Sequence, residues 1–190
     1  MSKKEGLNLA NKISLARIIL IPFFIAAIVY SKLEIALLIF TLAVISDAAD
    51  GFIARTLKQK TKLGTILDPV ADKLLLVSAY ICLSLAGTIP AGLKLPPYVP
   101  IIVISRDAII ILGSVIVYVV TSDLKVSPSA VGKVTTFFQM ITIVSILVQF
   151  KYSFVVWNLA VLFTILSGVD YVVKGSRLFG ENHSSLRSRF

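Results

Sequence analysis

Cysteine and histidine are nearly missing from this chain. Cys82 is the one cysteine and His183 the one histidine among 190 residues. A single cysteine excludes an intrachain disulfide, and nothing points to an oxidising compartment. One Cys and one His cannot build a Cys/His zinc site, so a metal bound here would be held by oxygen. Acidic residues are scarce as well, with 10 Asp+Glu against 19 Lys+Arg and a net charge of +9. No internal repeat is present, and no stretch is polar and long enough for a soluble domain. The first apolar segment lacks an Ala-x-Ala cleavage site, so it is expected to remain as a spanning helix.

Hydrophobic residues supply 57% of the chain, and its mean hydropathy is +0.92. Such values belong to membrane proteins. A nucleic-acid binder could share the positive charge. Here, however, the basic residues fall between long apolar runs, which fits a surface of anionic lipid. The expected fold is all-α, a polytopic membrane protein with six transmembrane helices and a short N-terminal interfacial segment. The spans are read at 13–30, 33–55, 65–86, 98–120, 130–150 and 154–173. Residues 1–190 then form one integral membrane domain with a basic, partly disordered cytoplasmic tail at 174–190. Six spans put both termini on one side. Lys32, Lys94 and Lys151 are assigned to the outer side, leaving the other sixteen basic residues at or near the inner one. This asymmetry sets the orientation.

Against this apolar background one stretch stands out, from Asp47 to Lys73. Asp47 and Asp50 are spaced i, i+3, and Asp68 and Asp72 are spaced i, i+4. On two helices each pair projects from one face. Gly51 and Ala54 lie beside the first pair and Gly64 one turn before the second, so a ligand can come close. Four carboxylates gathered at membrane depth repel one another and lose hydration, a conflict that divalent cations remove. Oxygen-only ligation points to magnesium or manganese. With the orientation above, both pairs lie at the cytoplasmic ends of spans two and three, where a soluble nucleotide reaches them.

Asp47, Asp50, Gly51, Ala54, Arg55, Gly64, Asp68 and Asp72 meet every fixed position of the pattern Asp-x2-Asp-Gly-x2-Ala-Arg-x8-Gly-x3-Asp-x3-Asp. The stretch therefore resembles the signature of the CDP-alcohol phosphotransferases, and the likeness extends over nearly the whole chain in length and span number. The resemblance implies two Mg2+ or Mn2+ ions per site on Asp47, Asp50, Asp68 and Asp72. Asp72 would be a further ligand or the general base. Asp47, Gly51, Ala54, Arg55 and Gly64 would bind the CDP-lipid, Arg55 through a phosphate. It also implies a homodimer in the inner membrane with the site facing the cytoplasm, and no nucleic-acid partner. The start NKISLARIILIP is similar to bacterial members that transfer a phosphatidyl group from CDP-diacylglycerol to glycerol 3-phosphate. Those commonly carry Arg-Glu where this chain has Ser105-Arg106-Asp107, which looks more like members that use phosphatidylglycerol. A six-span cation transporter would place its acids nearer the bilayer midplane. An intramembrane prenyltransferase would space its Asp clusters differently.

Several residues lie outside the motif. Asn11, Ser14 and Arg17 recur at helical spacing, and similar series precede the first span in that family. Snorkelling residues of an interfacial helix would give the same spacing. Arg106 and Asp107 fall inside the fourth span, where unpaired charge is costly. They are read as a structural pair or, preferably, with Arg106 binding the acceptor phosphate. Lys133 either helps there or anchors the interface. Lys73 could pair with a phosphate or a lipid headgroup, and Lys58, Lys60 and Lys62 form a basic loop. Trp157, Tyr152 and Tyr171 are expected at the membrane interface. Gly113, Ser114 and Gly168 are expected at helix contacts.

Overall fold

A computed structural model describes the backbone of residues 9–56, 62–87, 89–121 and 130–187, and the side chains of 14–46, 70–87, 89–113, 115–116 and 131–174. Among the described residues the fold is all-helical. Its helices are α1 (Leu9–Val29), α2 (Leu33–Thr56), α3 (Lys62–Leu85), α4 (Tyr98–Thr121), α5 (Ala130–Leu147) and α6 (Ser153–Arg187). They fall on the six apolar stretches of the sequence. The Ser153–Lys174 part of α6 is long and apolar enough to cross a membrane, and Ser14–Val29, Leu33–Ser46 and Val131–Leu147 are shorter apolar helices.

Two helix ends need a left-handed residue, and neither uses glycine. Ser31 has φ 60° and Gln149 has φ 59°. After α1, the Lys32 N–H reaches the Ala27 carbonyl at 2.8 Å and the Ser31 N–H the Ile28 carbonyl at 3.0 Å. After α5, the Phe150 N–H bonds the Ser145 carbonyl at 2.8 Å and the Gln149 N–H the Ile146 carbonyl at 2.9 Å. Both are Schellman caps, which satisfy the last carbonyls while the chain reverses.

The chain divides into two compact units. The first holds residues 1–95 with 143–151. In it α1 packs on both α2 and α3. Ser14, Arg17, Phe24 and Ile28 form the buried stripe of α1. Ala36, Phe40 and Ala43 face it from α2, and Ala71, Leu75, Ala79 and Leu83 from α3. These spacings of three, four and seven put each set on one side of its helix. The alanines let the backbones approach, and Phe24 meets Phe40 at 5.9 Å between ring centres.

The second unit holds residues 96–142 with 152–190. Here α4 and α6 run side by side. Tyr98 donates to Asn158, Arg106 to Ser167, and Tyr171 lies against Gly113. The contacts advance together along both helices, so the pair is parallel. Polar side chains join α5 to α6. The Thr135 hydroxyl lies 2.9 Å from the Val131 and Phe163 carbonyls, and Gln139 donates to Thr164 at 3.3 Å. Such bonds hold helices together where lipid removes the hydrophobic drive.

Three expectations change. α6 continues through the expected disordered tail to Arg187. The tail contains no proline, and extending a formed helix costs far less than nucleating one. Trp157 is 6% exposed and belongs to the core of the second unit, whereas Tyr152 is exposed as expected. An indole placed near a span end can turn inward as well as outward, and apolar character alone does not choose. Finally, α3 begins at Lys62, three residues before the predicted start. Residues 1–8 of the expected interfacial segment, and the basic loop at 57–61, lie outside the described residues.

Candidate functional site

The acidic motif sits on two helix ends. Asp47, Asp50, Gly51, Ala54 and Arg55 lie in the last turns of α2, and Gly64, Asp68 and Asp72 in the first three turns of α3. The segment between them at 57–61 is short, so the two ends are neighbours along the chain. Of these residues only Asp72 has a described side chain. The others fall outside the described side chains, and so do Asn11 and Ser114.

Asp72 Oδ1 accepts a hydrogen bond from Arg17 Nη1, forming an ion pair between α3 and α1. The Arg17 side chain is 1% exposed and that of Asp72 33%. Arg17 is the largest fully buried side chain in the described part of the protein. A guanidinium taken out of water needs a carboxylate partner, and Asp72 supplies it. Ser14, one turn earlier on the same stripe, is buried too. The Asn-x2-Ser-x2-Arg series is thus not a row of snorkelling residues, at least at Ser14 and Arg17. Its Arg grips a motif carboxylate. The spacing flagged the series, but only packing identifies the partner.

In the second unit, Arg106 and Asp107 form the ion pair that the sequence admitted. Arg106 Nη1 donates to Asp107 Oδ1 at 2.8 Å, and Nη2 to the Ser167 hydroxyl of α6 at 2.5 Å. Both charged residues are buried, Arg106 being 9% exposed. Arg106 Nε is buried and has no hydrogen-bond partner among the described residues. Nothing in the sequence marks Ser167 as a partner, because a lone serine in an apolar helix is common. Lys133 is exposed in the first turn of α5. Gly113 lies against the Tyr171 ring, and Tyr171 itself is half-buried.

Among the described residues no group of three or more His, Cys, Asp or Glu side chains could hold a metal. Three of the four motif carboxylates are not among them. The donor set itself is carboxylate oxygen throughout, which suits a hard divalent ion.

The profile of the CDP-alcohol phosphatidyltransferase family matches residues 7–166. The chain belongs to that family. It is therefore a membrane-associated enzyme that transfers a phosphatidyl group, and CDP-alcohol phosphatidyltransferases generally use a divalent metal. Two bacterial relatives are similar along most of their length. A "Probable phosphatidylglycerophosphate synthase" of Mycobacterium tuberculosis is 32% identical over 185 residues, covering 91% of this chain and 84% of the relative. The "CDP-diacylglycerol--glycerol-3-phosphate 3-phosphatidyltransferase" of Bacillus subtilis is 33% identical over 190 residues, covering 88% and 94%. A human "Cardiolipin synthase (CMP-forming)" is 39% identical over 105 residues, covering 55% of this chain and 33% of that protein.

Proposed function

We propose that this enzyme transfers the phosphatidyl group of CDP-diacylglycerol to glycerol 3-phosphate, giving phosphatidylglycerophosphate and CMP. One observation carries the choice of acceptor. The Bacillus subtilis relative named for this reaction aligns over 88% of the chain, and the human cardiolipin synthase over 55%. The acceptor hydroxyl oxygen forms a bond to the lipid-side phosphorus of the diphosphate. The bond from that phosphorus to the bridging oxygen breaks, and CMP leaves with the electron pair.

Asp47, Asp50, Asp68 and Asp72 would hold two Mg2+ or Mn2+ ions, and the all-oxygen donor set supports this. Such a pair, when bound, neutralises charge on the transferred phosphoryl group and clamps its oxygens. Asp72 takes the acceptor proton or completes the ligand set. Arg17 fixes its carboxylate from the buried side, while a third of the Asp72 side chain stays accessible. Arg55 contacts a phosphate of the CDP group, and Gly51, Ala54 and Gly64 leave room for the nucleotide beside Asp47. Arg106 and Lys133 bind the acceptor phosphate, and the buried Arg106 Nε without a partner supports the first of these roles.

The same reading has six spans in a bacterial-type inner membrane, the acidic ends facing the cytoplasm, one domain over residues 1–190, and a homodimer. The distribution of Lys and Arg supports the orientation. Ser105-Arg106-Asp107 favours a second reading, with phosphatidylglycerol as acceptor and cardiolipin as product.

The deciding experiment supplies purified protein with CDP-diacylglycerol and Mg2+. Glycerol 3-phosphate, phosphatidylglycerol, serine and inositol phosphate are offered in turn. CMP release with glycerol 3-phosphate alone is expected. Cardiolipin formed from phosphatidylglycerol would replace the first reading by the second, and no CMP with any acceptor would remove both.

A further inference from the structure

The Ser153–Lys174 segment of α6 is apolar enough to cross a membrane, yet it carries a carboxylate, Asp170, to which the reading above gives no task. Its side chain is 27% exposed, so most of it is withdrawn from water. Oδ2 accepts a hydrogen bond from Lys174 Nζ at 2.7 Å, one turn along the same helix, and Oδ1 has no hydrogen-bond partner among the described residues. A pair of this i, i+4 kind contributes little to stability, and an ionisable group inside a span marks a functional site by default. Its neighbours show which one. Ser167, Asp170, Tyr171 and Lys174 recur at i, i+3, i+4 and i+7, along one face of α6. Arg106 Nη2 of α4 donates to the Ser167 hydroxyl at 2.5 Å, and the Tyr171 ring lies against Gly113 of α4. Asp170 is therefore within one turn, about 4.5 Å of rise, of the Arg106 contact. From α5, the Thr135 hydroxyl lies 2.9 Å from the Phe163 carbonyl, and the Phe138 ring stacks on that of Phe163 at 4.7 Å. The chain reverses between α5 and α6, so Lys133, just before Thr135, stands on the Ser167 side of Phe163.

We propose that Asp170 is a specificity-determining residue whose Oδ1 accepts a hydrogen bond from the secondary hydroxyl of the acceptor, an inference that rests on the acceptor-phosphate role proposed above for Arg106 and Lys133. Two cations and one carboxylate, on three neighbouring helices of one unit, suit a small molecule with a phosphate at one end and hydroxyls beside it. The cations take the phosphate. A carboxylate is acceptor-only, so the group it meets must be a donor, and in a glycerol-based acceptor that donor is a hydroxyl. Lys174 offsets the charge of Asp170, so the carboxylate can stand near a phosphate without strong repulsion. The primary hydroxyl is spent in the transfer. The secondary one survives it, and Asp170 reads that group.

The test compares two acceptors that differ by that hydroxyl alone, glycerol 3-phosphate and 3-hydroxypropyl phosphate. Each is offered with CDP-diacylglycerol and Mg2+, and CMP release is measured. Wild-type kcat/KM should be about thirtyfold lower for 3-hydroxypropyl phosphate, as for a lost hydrogen bond to a charged group. Asp170→Ala should bring the two acceptors within about threefold of each other. Asp170→Asn keeps the shape and a neutral acceptor oxygen, so about fivefold should remain. Lys174→Met breaks the same ion pair but leaves the carboxylate, and it should keep a ratio of about tenfold or more. A purely structural Asp170–Lys174 pair would instead slow both acceptors alike in all three variants. That result overturns the proposal, as does a wild-type ratio under about threefold. The full wild-type ratio in Asp170→Asn overturns it even where Asp170→Ala does not fold. If phosphatidylglycerol proves to be the acceptor, the first functional reading fails by itself. The same comparison is then made between phosphatidylglycerol and phosphatidylpropanediol, which also differ by one secondary hydroxyl. CMP released with neither pair overturns both.

Discussion

Arg17 of α1 and Asp72 of α3 form an ion pair in which the cation is buried and the carboxylate is one-third exposed. This asymmetry gives the two residues different work. Arg17 is held by its surroundings, and Asp72 is held by Arg17 while still reaching the polar end of its helix. The pair thus couples the packing of α1 on α3 to the position of one motif carboxylate.

Arg17→Ala should lower both stability and turnover. Breaking a buried pair costs about 3–5 kcal/mol when both partners are dry, and exposed pairs contribute well under that. With Asp72 partly exposed, a loss of about 2 kcal/mol is expected in unfolding measured in detergent. CMP release should fall at least tenfold. Arg17→Lys should recover most of the stability but little of the rate, since an ammonium lacks the fork that orients a carboxylate. A variant with an unchanged melting point and full activity would show that the pair is incidental.

The carboxylates of the motif should behave as one unit. Asp50→Asn and Asp68→Asn are each expected to reduce CMP release by about a thousandfold or more, because removing one member of a cooperating site costs nearly as much as removing several. The circular-dichroism spectrum should be unchanged, since both lie at helix ends. Chelation should abolish activity and Mg2+ should restore it. Substantial turnover in either variant, or in excess chelator, would contradict the metal-site assignment.

The sequence made the helices easy to see and their neighbours hard. Apolar runs of span length located six helices to within about four residues, the C-terminal end of α6 excepted, since a helix satisfies its own backbone in lipid. The motif was legible because its acids sit at helical spacing in a chain with few acids. Spacing along one helix does not say which helix lies opposite. Arg17 was therefore visible as a member of a polar series at helical spacing, but its link to Asp72 required α1 to pack on α3. The same holds for Arg106 and Ser167. Trp157 was misplaced for a related reason, because an aromatic near a span end suits either the interface or a core. The two glycine-free turns were invisible because neither carries the usual signal.

Those turns make a stability prediction. Ser31 and Gln149 hold left-handed conformations that cost a side-chain-bearing residue about 1 kcal/mol relative to glycine. Gln149→Gly should therefore raise stability by about 0.5–1 kcal/mol, less any gain in unfolded-state freedom. Ser31→Gly should do the same. Gln149→Val should destabilise by a similar amount, because a β-branched residue resists positive φ. Melting in detergent is the measurement, and a lower midpoint for Gln149→Gly would indicate that its side chain contributes more than the backbone strain removes.

Arg106 gives the prediction that separates structure from binding. Its links to Asp107 and Ser167 are structural on any reading. If Arg106 also meets the acceptor phosphate, Arg106→Lys should keep the fold while raising KM for glycerol 3-phosphate about tenfold, and KM for CDP-diacylglycerol should change little. Ser167→Ala removes one fork contact without touching the charge, so it should cost about 1 kcal/mol of stability and leave acceptor KM within twofold. Asp107→Asn should lower stability more than either, since it strips the counter-charge from a buried guanidinium. The informative comparison is Arg106→Lys against Ser167→Ala. Parallel rises in both KM values for Arg106→Lys would mean that the residue organises the unit as a whole. A rise confined to the acceptor would mean that the buried guanidinium is held in place by Asp107 and Ser167 in order to present its remaining donor to a ligand.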